Sequence, residues 1–406
     1  MSFEQGLSGL NVAAKNLDAI GNNVANASTI GYKAERAEFA DVFASSLAGG
    51  GGVQVGIGAK VAAVRQQFTQ GNITTTSNPL DVAINGSGFF RLSTNGTVSY
   101  SRNGQFSLDQ NGFMVTANGA HLTGYPADAN GQIVASTPVD LQVSLANIAP
   151  KTTSTASLAI NLDSRATVPT SAFNMTNPAS YTSSTAMTVY DSQGNSHTLT
   201  TYYVKTASNT WDVYGAADGT ILNGGAAIGT LNFGAGGTLA ADVTMNVSIP
   251  LTNGAASPLA IPVTYPASDM SQFGVAFAVN KLQQDGYTTG TLAGFSIGND
   301  GTILGRYTNG QTRAQGQMVL ANFVNPQGLV ALGNNQWAES ADSGQALVSA
   351  PGSGTLGVLQ SGALEDANVD LTAELVNMIT AQRAYQANAQ TIKTQDQINQ
   401  TLVNLR

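Results

Sequence analysis

A chain of 406 residues with a net charge of −8 and only 16 Lys and Arg shows no basic cluster with which to hold nucleic-acid phosphates. The absence of cysteine removes disulfides, thiolate metal ligands and thiol nucleophiles together, and no run of roughly 18 or more apolar residues is present to span a membrane. Charged residues make up 10%, against about 25% in ordinary soluble proteins, so the surface is either solvated by Ser, Thr, Asn and Gln or covered by neighbouring subunits.

Helical patterning comes first, from Ser2 to about Ala27. Phe3, Leu10, Leu17 and Val24 recur every seven residues, with Leu7 and Ala14 between them. Such a stripe is a narrow seam that another helix must bury. Gly6, Gly9 and Gly21 lie inside the same segment, and each weakens an isolated helix by about 1 kcal/mol relative to Ala. Packing must therefore supply what propensity lacks. Glu4 and the missing apolar core of a leader argue against a cleavable secretory signal, so export would use another route. An Asn-rich turn runs through Gly31, a mixed stretch through Leu47, and Gly49–Gly52 predicts a flexible spacer or loop tip.

From Val53 to about Tyr125 the pattern alternates and is punctuated by Asn85-Gly86, Asn95-Gly96, Asn103-Gly104, Asn111-Gly112 and Asn118-Gly119. Asn-Gly tolerates the positive φ of a type I′ turn, so the spacing predicts a meander of antiparallel strands. Strands richer in Ser, Thr and Ala continue from about 150 to 290, with Pro150 and Pro169 bracketing a boundary region. A shorter β stretch covers 294–337, and a Ser/Gly/Ala-rich segment leads to the last helix. No fixed-period repeat is visible.

That helix is expected over Asp370–Leu405, about 50 Å at 1.5 Å per residue. Leu371, Met378, Tyr385 and Ile392 repeat every seven residues, with Leu375 and Ala389 between them and Leu402 and Leu405 extending the stripe. Its other face carries Gln382, Gln386, Gln390, Gln397 and Gln400, where an exposed coiled coil usually has Glu and Lys. Amides suit a helix hemmed in by others, or one lining a polar passage. The two stripes can meet each other or copies of themselves. The first option is an intramolecular helical hairpin; the second is a polymer.

No constellation for catalysis, metal or cofactor can be assembled. His121 and His197 are far apart in sequence and lack ligand-spaced partners, so they read as strand or loop residues. Glu365, Asp366, Asp370 and Glu374 read as an acidic entry to the last helix, favourable against its dipole. Gly86-Ser87-Gly88 begins like a dinucleotide loop, but Arg91 stands where the third Gly belongs and no βαβ unit surrounds it.

Three stretches, about 110 residues in order, carry a resemblance. The run from Asn22-Asn23-Val24-Ala25-Asn26 through Thr29, Gly31, Tyr32 and Lys33 resembles the N-terminal motif of bacterial flagellar rod and hook proteins. Asn368-Val369-Asp370-Leu371 through Met378, then Ala381-Gln382-Arg383-Ala384-Tyr385, is similar to the C-terminal signature of that family. Leu80-Asp81-Val82 with Gly88-Phe89-Phe90, then Tyr100-Ser101-Arg102-Asn103-Gly104 and Leu122-Thr123-Gly124-Tyr125, supplies the third. About 140 further residues of β pattern resemble the hook branch of the family more than the shorter rod branch.

The resemblance implies a multidomain fold, with an α-helical coiled coil from both termini and mainly antiparallel β-domains. Expected divisions are 1–29 with 366–406 as the coiled-coil core and 30–72 with 358–365 as a connecting arm. An inner β-domain would be 73–147 with 289–357, and 148–288 an inserted outer β-domain. It implies a homopolymer: a curved, torque-transmitting tube outside the cell, linking rod to filament. The assembly interface would use Phe3, Leu7, Leu10, Leu17, Asn22, Asn23, Val24, Asn26, Thr29, Gly31, Leu371, Leu375, Met378, Tyr385, Ile392 and Leu402. Rod, hook-cap and hook–filament junction proteins and the type III export apparatus are implied partners, with neither nucleic acid nor membrane insertion. A distal rod protein shares these motifs, and a secreted β-rich adhesin is the alternative from another class.

Overall fold

The computed structural model describes residues 2–42 and 56–404, apart from a few side chains at the helix ends. The spacer expected at Gly49–Gly52, Leu405 and the side chain of Leu402 lie outside the described residues. Helix α1 spans Ser2–Ala25 and helix α2 spans Leu371–Asn404. Between them the chain is strands and turns, mostly antiparallel. Both helices are slightly shorter than expected. Past Ala25, Asn26 turns its side chain back onto the Asn22 carbonyl (3.0 Å). At the other end Asp370 lies outside α2 as its cap, its Oδ1 accepting from the amides of Thr372 (2.9 Å) and Ala373 (3.1 Å).

The chain forms two compact units. The first comprises Met1–Leu145, Gly294–Arg306 and Thr312–Arg406, and the second Ala146–Ala293 with Tyr307–Gln311. In the first, strands Glu35–Val42 and Gly58–Gln66 pair as an antiparallel ribbon beside α1. A larger sheet has Phe89–Thr94 near its middle, hydrogen-bonded to Thr97–Ser101, His121–Pro126 and Leu320–Asn322. Phe89, Tyr100, Phe323 and Trp337 fill its core with edge-to-face rings, and half-buried Phe68 packs on Phe89 and Trp337.

The five Asn-Gly pairs do not all behave alike. Asn95 (φ 51°) and Gly96 (φ 86°) make the predicted type I′ turn between Phe89–Thr94 and Thr97–Ser101. Asn111-Gly112 and Asn118-Gly119 also reverse the chain, with only the glycine at positive φ. Asn85-Gly86 and Asn103-Gly104 are not hairpin loops. Asn85 ends a strand, and Gly104 places its bare Cα against the Val82 carbonyl, where a Cβ would collide.

The second unit is two sheets over one core. Val243–Ile249, Leu259–Tyr265, Ala156–Asn161 and Ala278–Gln284 form one; Ser183–Tyr190, Ser196–Ala207 and Thr210–Ala217, with two short strands, form the other. Met245, Val247 and Ile249, and likewise Leu259, Ile261, Val263 and Tyr265, alternate inward as period-2 patterning requires. They meet Leu199, Tyr203, Trp211 and Val213 from the opposite sheet. Two polar pairs lie within this core: Trp211 Nε1 donates to Gln272 Oε1 (2.6 Å), and Tyr203 and Tyr265 share a hydroxyl contact at 3.4 Å. Burial pushes the Tyr203 hydroxyl up to about 12, although hydrogen bonds to Thr201 and Tyr265 pull the other way.

Candidate assembly interface

Two of the three resembling stretches, the N-terminal one through Lys33 and Gly31 and the middle one through Arg102, converge on one carboxylate. Glu365 is 1% exposed, and its Oε1 accepts from Lys33 Nζ (2.6 Å) and the Gly71 amide (2.8 Å) while Oε2 accepts from Arg102 Nη1 (3.1 Å). Its backbone carbonyl accepts from the Gly31 amide (2.8 Å). Lys33 also donates to Thr69 O (2.8 Å), and Arg102 Nη2 to Gly86 O (2.8 Å), with the guanidinium 5.6 Å from the Phe89 ring centroid. Two buried cations thus surround one buried anion, leaving one positive charge in excess. Burial pulls Lys33 below its ordinary value, opposed by Glu365 and reinforced by Arg102. Burial likewise lowers Arg102 against the pull of Glu365. Glu365 is therefore not part of the acidic helix entry, as its position before α2 suggested; desolvation and two cations make it the centre of an ionic junction.

Gly31 serves the same junction. It sits at φ 69°, and a Cβ there would come within 2.6 Å of the Asn103 amide nitrogen. Asn23, 1% exposed, receives the Glu35 amide on Oδ1 (2.7 Å) and gives Nδ2 to the Glu35 carbonyl (2.8 Å). Its Oδ1 also accepts from Tyr32 OH (3.2 Å), and its Nδ2 reaches Glu374 of α2 at 3.4 Å. Burial, then the charges of Glu35 and Glu374, push the Tyr32 hydroxyl well above its ordinary range. Asn368 accepts from the Ala34 amide (2.7 Å) and donates to Gln67 O (2.6 Å). Asn22 is exposed and bonds Glu35 Oε2 (3.1 Å), and Thr29 donates to Asn26 (3.3 Å), both half-buried.

The helices run antiparallel through a seam that the heptad reading missed. Gly6 lies against Ile392, Gly9 against Asn388, and Asn23 near Glu374. Gly6, Ala13 and Ile20 of α1 are buried, as is Ala381 of α2. This too is a seven-residue repeat, one position before the Leu7–Ala14 series. Gly6 and Gly9 let the helices approach closely, and their lack of side chains concealed the contact beside the larger stripe.

The larger stripe is only partly covered. Phe3 (46%), Leu7 (44%), Leu371 (47%) and Leu375 (44%) are exposed, with Val376, Ile379 and Tyr385. Leu10, Leu17, Val24, Met378 and Ile392 are half-buried. The α2 amide residues Gln382, Gln386, Gln390, Gln397 and Gln400 are exposed as well. At 34 residues α2 is about 51 Å long, outrunning the 24-residue α1 by about 15 Å. Ile398 and Val403 stand exposed on that overhang. Large apolar side chains left exposed at both ends of the helix pair mark sites of further burial. No helix among the described residues is long and apolar enough to cross a membrane.

Comparison with known proteins fits this arrangement. Residues 3–33 match the flagella basal body rod protein family, 83–176 the flagellar hook protein FlgE/F/G D1 domain, 161–287 the flagellar basal body protein FlaE D2 domain, and 360–405 the flagellar basal body rod FlgEFG protein C-terminal family. The chain is 47% identical to flagellar hook protein FlgE of Escherichia coli K12 and 46% identical to that of Salmonella typhimurium, with 100% of each chain covered in both cases. It is 33% identical to that of Borreliella burgdorferi, over 100% of this chain and 99% of the relative. The crystal structure of flagellar hook protein FlgE2 of Helicobacter pylori superposes with a TM-score of 0.53 at 13% identity, covering 72% of this chain and 100% of that one, a likeness of fold. On its full-length similarity to these relatives, the chain belongs to the flagellar hook protein FlgE family.

Proposed function

We propose that this chain is the structural, non-catalytic subunit of the bacterial flagellar hook, polymerising into a flexible curved tube that links rod to filament and transmits torque. The carrying observation is full-length similarity to hook proteins in a protomer whose two helices leave apolar stripes exposed. In this reading the stripes of neighbouring subunits complete a coiled-coil lining, with Phe3, Leu7, Leu371, Leu375 and Tyr385 buried between copies. In this reading the chain divides as its sequence suggests, into a coiled-coil core, a connecting arm, an inner β-domain and an inserted outer β-domain. Short Ser- and Thr-rich strand faces outside the lining would slide and re-form as a bent tube turns.

Partners on this reading are further copies of the chain, the rod, the hook cap, the hook–filament junction proteins and the type III export apparatus. The site of action is outside the cell, reached without a cleaved signal. The Glu365 junction holds the strands at the foot of α2 to the N-terminal motif, so that force on the helices reaches the β-structure through buried ionic and amide contacts. Electron microscopy of assembled purified chain tests the reading. Curved tubes are expected; straight rigid tubes would instead favour a distal rod protein.

A further inference from the structure

His197 is the side chain the hook reading leaves unused. It lies in strand Ser196–Ala207, and each ring nitrogen faces a carboxylate. Nδ1 is 2.7 Å from Asp218 Oδ2, and Nε2 is 3.3 Å from Asp191 Oδ2. Asp191 sits in the turn before this strand and is fully buried; Asp218 (φ 48°) leads the turn after Thr210–Ala217 and is exposed.

Asp191 is held independently of the histidine. Its Oδ1 accepts from the amides of Gln193 (2.8 Å) and Asn195 (2.9 Å), and its Oδ2 from Asn195 Nδ2 (2.9 Å) and Asn253 Nδ2 (2.7 Å). Asn253 belongs to the loop joining two strands of the opposite sheet. His197, Asp218 and Asn253 line one side of a cavity of about 340 Å³, faced by Leu222, Ile249 and Leu251. The charged groups facing His197 are Asp191 and Asp218; the Asn253 loop adds Pro250, Leu251, Thr252 and Asn253 to the lining, none of them ionisable.

A neutral imidazole carries one N–H and can donate to one carboxylate, whereas the imidazolium donates to both. We propose that His197 is a pH-operated latch: protonated, it joins Asp191 and Asp218 at once, and on losing its proton it releases one of them and loosens the polar wall of this cavity. Asp191 is anchored by four other donors, whereas exposed Asp218 has beside His197 the Thr198 amide (2.8 Å) on its carboxylate, so the Asp218 turn is the part that moves. Burial pulls the imidazolium down, but the hydrogen bonds and charges of Asp218 and Asp191 outweigh it, and the net shift is upward. The latch is therefore fully closed below the ordinary histidine value of about 6.5 and opens as pH rises through the higher folded value.

Two measurements on the intact chain test this. An NMR titration of the His197 ring should give a pKa above about 6.5; a value at or below it overturns the proposal. Amide exchange, corrected for intrinsic rates and followed from about pH 6 to about pH 9, should show protection of Thr198 and Asp218 falling several-fold across the same transition. In H197Q that step should vanish, and in D218N it should move down by about one pH unit, as expected for loss of a close opposite charge. A wild-type chain with no step, an H197Q chain with the wild-type step, or an unshifted step in D218N would each overturn the latch.

Discussion

Gly9 packs flat on the side chain of Asn388: a Cβ placed on it would lie 2.8 Å from both Nδ2 and Oδ1 of that amide. Gly6 meets Ile392 in the same way, a Cβ there lying 3.0 Å from Cγ1. These two glycines weaken α1 as an isolated helix and make it a close partner for α2. Gly21, in the same helix, has nothing within 4 Å. The contrast predicts opposite outcomes. G21A should stabilise the helical part of the chain by about 0.5–1 kcal/mol through propensity alone. G6V should destabilise it by about 1–3 kcal/mol, because Ile392 must leave its rotamer or the helices must part. Thermal unfolding followed by the helical circular dichroism signal compares the two; a stabilised G6V would contradict the close seam.

Glu365 gives the second prediction. Changing it to Leu leaves Lys33 and Arg102 facing each other in a dry interior, so E365L should lose about 3–5 kcal/mol in urea unfolding. Replacing all three residues by apolar side chains of similar size (K33M, R102M, E365L) should recover most of that loss, since desolvation is then no longer opposed to pairing. A single E365L with wild-type stability would mean that the junction is not a connected ionic cluster.

Asp285 ties the end of strand Ala278–Gln284 to the segment entering Ala156–Asn161. It accepts from the amides of Ser154 (2.8 Å) and Thr155 (2.9 Å) and from Ser154 Oγ (2.6 Å), and pairs with Lys151 at 3.0 Å. Burial alone would raise its pKa; the hydrogen bonds and Lys151 outweigh this and hold it well below the usual carboxylate range. Its stabilisation is therefore present above the unfolded value of about 3.9 and is lost as pH falls through the lower folded value. D285N should be less stable than the parent by about 1–3 kcal/mol at neutral pH. The gap should narrow steadily as the pH of the urea unfolding series drops below about 4. A gap that stays constant into acid would show that the carboxylate charge is not involved.

How much of this was legible in the sequence depended on side-chain size and on separation along the chain. The helices, their seven-residue stripes and the Asn95-Gly96 hairpin could be read from local patterning, because each signal is carried by a few neighbouring residues. Gly6 and Gly9 carry the contact with Ile392 and Asn388, but glycines make no apolar pattern, so the contact that pairs the helices was invisible. Glu365 was misplaced for a different reason. Its partners Lys33 and Arg102 lie 332 and 263 residues away, and only the fold shows that a carboxylate next to a helix start faces inward. The scarcity of charge was the available clue: in a chain with 16 Lys and Arg, a lysine and an arginine inside resembling motifs were candidates for burial.

The central claim, that the exposed stripe on α2 is buried between copies, is tested most directly at Leu375. Ile392 is a poorer probe, because it packs on Gly6 within the same protomer and its loss would disturb the monomer. Leu375 is 44% exposed, so L375D should leave monomer unfolding within about 0.5 kcal/mol of the parent. In an assembly the same carboxylate would enter a dry seam without a partner, at several kcal/mol for each subunit added. Sedimentation and electron microscopy of L375D under conditions where the parent forms tubes should find only soluble, folded monomer. Normal curved tubes from L375D would contradict the account.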